Sequence, residues 1–108
     1  MNIELQYLYR DMGNFKNFGE VIFGNRMNCG SDEIHNRITD ILGSDPIIKA
    51  SDLGIPNMFF SNFPYNPELD HEMHEYFRVM ETDRPIDDND QRDIIDFLTE
   101  LENKSSEW

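Results

Sequence analysis

Cysteine is almost absent from this sequence, since Cys29 is the single one among 108 residues. One cysteine cannot form an internal disulfide, and no CxxC pair is present, so the sequence gives no sign of an oxidising compartment. The first residues show no basic segment followed by an apolar run, and no stretch of about 18 apolar residues occurs. We therefore expect a soluble cytoplasmic protein.

Common catalytic motifs are missing as well. The sequence contains no G-x-S-x-G, no P-loop, no G-x-G-x-x-G and no H-E-x-x-H. Pairs of carboxylates are uninformative in a chain with 22 acidic residues, because a catalytic pair requires two different environments. The motifs therefore favour a protein without catalytic activity.

Basic residues are scarce: 9 Lys and Arg stand against 22 Asp and Glu, which gives a formal net charge of -13. Residues 68–108 carry most of the imbalance, with 14 acidic and 4 basic side chains. Nucleic acids and anionic membranes are bound through Lys and Arg, so neither is an expected ligand. Another protein with a basic surface is the partner that this charge favours.

The apolar content is sufficient for one folded domain. Hydrophobic residues make up 38% of the chain and include eight Phe and four Tyr, well above the level typical of disorder. A length of 108 residues fits a single core. We expect a single domain over residues 1–102, followed by a flexible C-terminal tail over residues 103–108.

Apolar residues recur at strand and helix spacings and predict a small α+β domain in the order ββαββα. We expect a mostly antiparallel sheet with two helices packed on one face. A helical turn after Asn66 should lead into the last strand, which ends before Asp83. The other predicted elements are two hairpin strands, a helix, a short strand and a final helix: residues 2–10, 18–23, 32–42, 47–50 and 89–102.

Two histidines lie three residues apart in the segment DHEMHEYF, residues 70–77. On a helix this spacing places both imidazoles on one face, where Asp70, His71 and His74 would bind zinc or another divalent transition metal. The alternative, which we prefer, is a set of solvent-facing imidazoles among acidic residues. A metal-dependent enzyme, for example a hydrolase, is thus the second functional hypothesis.

The segment IPNMFFSNFPYNP, residues 55–67, contains three prolines and three asparagines, which predict an irregular loop. It is also rich in aromatic residues. These rings either fold back over the sheet as part of the core or form a partner-binding surface. The candidate partner-binding residues in the loop are Phe59, Phe60, Phe63 and Tyr65.

The final predicted helix places Asp93, Asp96 and Glu100 on its outer face. Such a row of carboxylates would attract a basic target, as inhibitor and immunity proteins do. The alternative is a solvated face that only keeps the protein soluble. We include these three acidic residues among the candidate partner-binding residues.

Arg10 and Lys16 lie on either side of the predicted hairpin loop and are candidates for a weak anion-binding site. The alternative is that the loop residues form a turn and that the basic side chains pair with acidic groups of the same chain.

Three segments, LQYLYRDMGNFKNFGEVIF, GIPNMFF and LDHEMHEYF, resemble a group of small uncharacterised bacterial proteins. The resemblance covers most of the chain and implies a bacterial cytoplasmic protein of one domain. Because no established activity belongs to that group, the resemblance assigns no functional residue.

The sequence thus predicts a small acidic protein-protein interaction module of the inhibitor, immunity or accessory type. Its aromatic loop would anchor the partner, and its acidic C-terminal part would steer the encounter. No cofactor is expected. The alternatives are the metal-dependent enzyme and a small homo-oligomer that associates through the aromatic loop.

Overall fold

The computed structural model describes residues 1–10, 13–59 and 73–108. Within these residues, four strands form one antiparallel sheet in the order β2-β1-β4-β3, accompanied by two α-helices. The predicted α+β class is confirmed. The elements are β1 Asn2–Arg10, β2 Lys16–Phe23, α1 Ser31–Leu42, β3 Ile47–Ile48, a 3₁₀ helix Ala50–Leu53, β4 His74–Thr82 and α2 Ile94–Ser105.

The predicted order ββαββα is not quite met. The fourth element is a strand of only two residues, and the 3₁₀ helix follows it directly. This helix ends at Gly54, whose φ of 68° lies in the left-handed region that glycine adopts without strain. The chain between α1 and β4 is therefore built mainly from turns, and β3 pairs with β4 at Glu75 and His74 only.

The core lies between one face of the sheet and both helices. Ile3, Leu5 and Tyr7 of β1 alternate toward this side, as predicted, and each is at most 1% exposed. They belong to one cluster with buried residues of both helices: Ile34, Ile38, Ile94, Phe97, Leu98 and Leu101. The two helices thus pack on the same face of the sheet.

The register between β4 and β1 shifts by one residue at Phe77, which forms a β-bulge. As a result, Tyr76 and Val79 are both buried, whereas Phe77 and Arg78 are both exposed. Strict alternation along a strand would place Phe77 and Val79 on the same side. The extra residue of the bulge changes which side chains face the core.

Helix α1 forms where the periodicity predicts it, with acidic Asp32 and Glu33 in its first turn. Its N-cap is Gly30 rather than Ser31. The helix ends at Gly43, which has a φ of 72° and donates its N–H to the carbonyl oxygen of Thr39. Neither helix among the described residues has the length and apolar character needed to cross a bilayer.

Helix α2 begins at Ile94, five residues later than predicted. Residues 89–93 instead lie beside the end of β2, where Gly24 donates its N–H to the carbonyl oxygen of Arg92 at 3.0 Å. Ile94 in turn donates its N–H to Gly24 at 2.8 Å. Since these backbone groups pair across the molecule, they cannot make the helical hydrogen bonds that the periodicity alone would allow.

The C-terminal residues also differ from the prediction. Helix α2 continues through Ser105, three residues beyond the predicted helix end at residue 102. Trp108 packs against the core, and its Nε1 donates a hydrogen bond to Asp52 at 3.1 Å. Residues 103–105 of the predicted tail are thus helical, whereas the flexibility of residues 103–108 stays a prediction.

Candidate functional site

The sheet surface opposite the helices carries the outward side chains of β1, β2 and β4, and we call it the open face. Three large apolar side chains are exposed here: Phe18 by 52%, Phe77 by 47% and Met80 by 38%. The rings of Phe18 and Phe77 meet edge to face, with centroids 5.4 Å apart. Leu8 lies on the strand between them and is buried. The open face therefore has an ordered aromatic centre.

Two basic side chains flank this aromatic pair. The guanidinium of Arg78 lies 5.3 Å from the centroid of the Phe77 ring, and its Nε donates to Gln6 Oε1 at 2.8 Å. Lys16 is exposed two residues before Phe18 on the same side of β2. Within the described part of the chain, neither Arg78 nor Lys16 forms an ion pair.

The other two basic side chains of the open face are paired. Arg10 donates to both carboxylate oxygens of Glu75, at 3.0 and 3.1 Å, and also to Asn14. Arg84 reaches over the sheet and contacts Glu4 at 3.1 Å and Glu20 at 3.0 Å. The hydrogen bond that Arg10 donates to Glu75 raises the pKa of Arg10.

The predicted anion-binding pair, Arg10 and Lys16, does come together as cross-strand neighbours in the sheet. An anion at Arg10 would have to compete with the bidentate contact of Glu75. The internal ion pair, which was the alternative interpretation, is therefore present for Arg10. Anion binding by Lys16 stays a prediction.

The charge of the protein is segregated by face. The described residues outside the open face carry five basic and fifteen acidic side chains, a net of -10. Among the described residues, the open face carries four basic and three acidic side chains, a net of +1: Arg10, Lys16, Arg78, Arg84, Glu4, Glu20 and Glu75. Asp87 lies beside this face, where it accepts the N–H of Ile22 at 2.7 Å and interacts with Arg84. The described residues of the open face are thus far less negative than the rest of the chain.

The described part of the aromatic loop packs on the sheet. Phe59 is half-buried, and its ring stands edge-on against Tyr9 with centroids 4.8 Å apart. Phe60, Phe63 and Tyr65 lie outside the described residues, so their predicted role in partner binding stays a prediction. For Phe59 the contact favours the alternative that we considered, a ring that seals the core.

Hydrogen bonds and packing contacts hold residues 55–59 against the helix side of the sheet. Tyr7 donates its hydroxyl hydrogen to Pro56 at 2.6 Å, and Asn17 donates to the carbonyl oxygen of Met58 at 2.9 Å. A Cβ atom at Gly19 would overlap the sulfur of Met58. Glycine at this position therefore allows the Met58 side chain to lie against the strand, and a larger residue would force that side chain to shift.

His74 is fully buried as the first residue of β4, so the predicted solvent-facing imidazole is wrong at this position. Its Nε2 accepts a hydrogen bond from the Met58 N–H at 2.8 Å, and the ring lies near Tyr9 and Phe59. From the sequence alone, the imidazole of His74 was expected to face solvent. Its contact with residues 55–59 explains why it is buried instead.

The predicted metal site is only partly within the described residues. Asp70 and His71 lie outside them, and the Nε2 of His74 already accepts a backbone hydrogen bond. Among the described residues, no group of three or more His, Cys, Asp or Glu side chains is arranged to hold a metal ion. A zinc site at Asp70, His71 and His74 therefore stays a prediction.

We expect the neutral tautomer of His74 that carries its hydrogen on Nδ1, because Nε2 must be unprotonated to accept the Met58 N–H. A long-range ¹H–¹⁵N spectrum near neutral pH should show a protonated Nδ1 and a deprotonated Nε2. The ring of His35, which is hydrogen-bonded through Nδ1 to the Tyr76 hydroxyl at 2.7 Å and not through Nε2 to a backbone N–H, serves as the comparison in the same spectrum. A proton on Nε2 of His74 would contradict the contact.

The acidic side chains of α2 do not form the free outer row that the sequence predicts. Asp93 is only 6% exposed and is the N-cap, because it accepts hydrogen bonds from the N–H groups of Ile95 at 3.1 Å and Arg26 at 2.7 Å. Asp96 completes a capping box by accepting the N–H of Asp93 at 3.2 Å. Glu100 contacts Arg92 at 2.7 Å. The outward prediction is therefore wrong for Asp93.

Sequence reasoning missed a buried ion pair between Asp88 and Arg92. Their side chains are 1% and 8% exposed, and Arg92 donates to both oxygens of Asp88, at 2.9 and 2.8 Å. Arg92 also donates to the carbonyl oxygen of Leu53 at 2.8 Å and lies over the rings of Phe23 and Phe97. This network joins the loop before α2 to the core. The i, i+4 spacing of the two charges was its only sequence signal.

Comparison of the chain with models of known protein families, with curated proteins and with solved structures finds no match. The functional proposal below is therefore built on the geometry and charge of the open face.

Proposed function

We propose that this protein is a protein-protein interaction module that binds its partner through the open face of the sheet. The observation that carries the proposal is the joint exposure of Phe18, Phe77 and Met80 on a surface that neither helix covers. Single exposed apolar residues are ordinary, but two exposed aromatic rings in contact, flanked by polar side chains and a further exposed methionine, are typical of an interaction site.

The composition of the surface supports this proposal. Aromatic residues and arginine are enriched in protein interfaces and in their energetic hot spots, and the open face offers Phe18, Phe77 and Arg78 side by side. All three side chains project from paired strands. Because the backbone is already ordered, binding loses less conformational entropy than it would on a free loop.

The proposal keeps the predicted class of protein and changes the predicted surface. The aromatic loop was expected to be the anchor, yet Phe59 packs against Tyr9 on the helix side. The acidic row on α2 was expected to steer the partner, yet Asp93 caps the helix and Glu100 contacts Arg92. In the described part of the chain, the rings of Phe18 and Phe77 contact each other, and the guanidinium of Arg78 lies over Phe77; all three side chains belong to the open face.

We expect the double variant Phe18→Ser with Phe77→Ser to lose its native partner. Each ring is placed as a hot spot, and the loss of one typically costs at least about 2 kcal/mol, which is roughly a 30-fold weaker complex. The measurement is affinity capture from the native host, quantified by mass spectrometry against wild type. Circular dichroism should show that the variant is folded.

Met27→Ser is the matched control, because Met27 is 73% exposed but lies in the loop after β2, outside the open face. This variant should capture the same proteins as wild type. If the double variant also captures them unchanged, the open face is not the binding surface.

A further inference from the structure

We infer that the open face selects an acidic partner, a protein segment or surface that presents carboxylates around apolar side chains. This inference rests on the proposed function, because it assigns the chemistry of the partner to that same surface. It departs from the overall charge of -13, which taken alone would favour a basic partner.

The local charge of the open face differs from that of the rest of the protein. Its described residues have a net charge of +1, whereas the rest of the described residues have a net charge of -10. Charge interactions through solvent fall off over a Debye length of about 8 Å at physiological ionic strength. A partner on the open face therefore interacts with Arg78 and Lys16 more strongly than with exposed acidic groups on the far side of the domain.

Two cations of the open face, Arg78 and Lys16, form no ion pair with the described residues. Arg78 and Lys16 lie on either side of the contact between Phe18 and Phe77. Gln6 and the Phe77 ring hold the guanidinium of Arg78 in place, so its planar nitrogens are preorganised for a carboxylate. A partner that inserts apolar side chains between these cations would pair its acidic groups with them.

A second copy of this chain is a poorer fit. A face-to-face dimer would bring Arg78 and Lys16 of both copies into one interface, where the carboxylates of each copy are already paired with Arg10 and Arg84. Like charges at an interface are unfavourable. A basic partner would meet the same two cations. An acidic, partly apolar segment avoids both conflicts.

The test uses two short synthetic peptides with the same leucine and phenylalanine positions. One carries aspartate at the remaining positions and the other carries lysine. Fluorescence anisotropy should show that wild type binds the aspartate peptide about tenfold more tightly than the lysine peptide. Added salt should reduce this preference. The combined variant Arg78→Gln with Lys16→Gln should abolish the preference.

The control removes the same number of positive charges from the helices, as Arg37→Gln with Lys104→Gln, and should retain the preference. Phe77→Ser should weaken the binding of both peptides. This result tests whether the open face is the binding surface, independently of the charge preference. Tighter binding of the lysine peptide, or no binding of either peptide, would overturn the inference. Self-association in sizing chromatography that Phe77→Ser abolishes would instead identify a second copy as the occupant.

Discussion

Replacing Asp88 with alanine should lower the free energy of unfolding by about 3–5 kcal/mol, because removing one partner of a buried ion pair leaves the other charge uncompensated. Arg92 is 8% exposed, and the hydrogen-bond acceptors that its guanidinium would retain among the described residues are Glu100 and the Leu53 carbonyl oxygen. Urea denaturation measures the change. Asp83→Ala, at an exposed position in the loop after β4, should shift stability by no more than about 0.5 kcal/mol.

The same pair predicts how stability depends on pH. Burial by itself raises the pKa of Asp88, but the hydrogen bonds and charge of Arg92 bring that pKa below its ordinary value. The contribution of the pair is therefore complete above about pH 4, the ordinary aspartate range, and is lost as pH falls through the lowered pKa of the folded state. The difference in stability between wild type and Asp88→Asn should narrow at acid pH. A constant difference would contradict the ion pair.

Phe23→Ala should destabilise the protein by about 3–5 kcal/mol through loss of burial and creation of a cavity. The Phe23 ring is fully buried, lies 4.6 Å from the ring of Phe97 by centroids, and is covered by Arg92. Phe18→Ala, on the same strand but on the open face, should cost no more than about 1 kcal/mol. Thermal and urea unfolding of both variants measure the contrast.

This contrast bears on function because it separates binding from folding. If Phe18 contributes little to stability, a Phe18 variant that loses its partner does so because the binding surface has changed and not because the protein has unfolded. A cost at Phe18 equal to that at Phe23 would show that the open face is needed for the fold, and would weaken the proposed function.

Local pattern was sufficient to predict β1 and α1. The alternation of Ile3, Leu5 and Tyr7 and the helical spacing of Ile34 and Ile38 each depend on one element and on one buried side. Such signals require no knowledge of the remaining chain. The α+β class followed from them.

Three differences between the predicted and the observed structure result from contacts between distant parts of the chain. The bulge at Phe77 depends on pairing with β1, the late start of α2 depends on Gly24, and the burial of His74 depends on residues 55–59. Periodicity within a segment carries no information about these partners, so tertiary contacts override it.

The open face was beyond prediction for the same reason. Its existence depends on both helices packing on one side, and its charge depends on Arg84 reaching Glu4 and Glu20, 80 and 64 residues away in sequence. Counting charges along the chain placed the negative excess in residues 68–108, whereas Arg78 and Arg84 from that range face the sheet surface.

The bulge in β4 has an evolutionary consequence. Tyr76 and Val79 anchor the strand in the core, while Phe77 and Arg78 between them contact side chains of the open face. We therefore expect substitutions at 77 and 78 to leave the core intact, so that this short site can change its binding properties while the fold is kept.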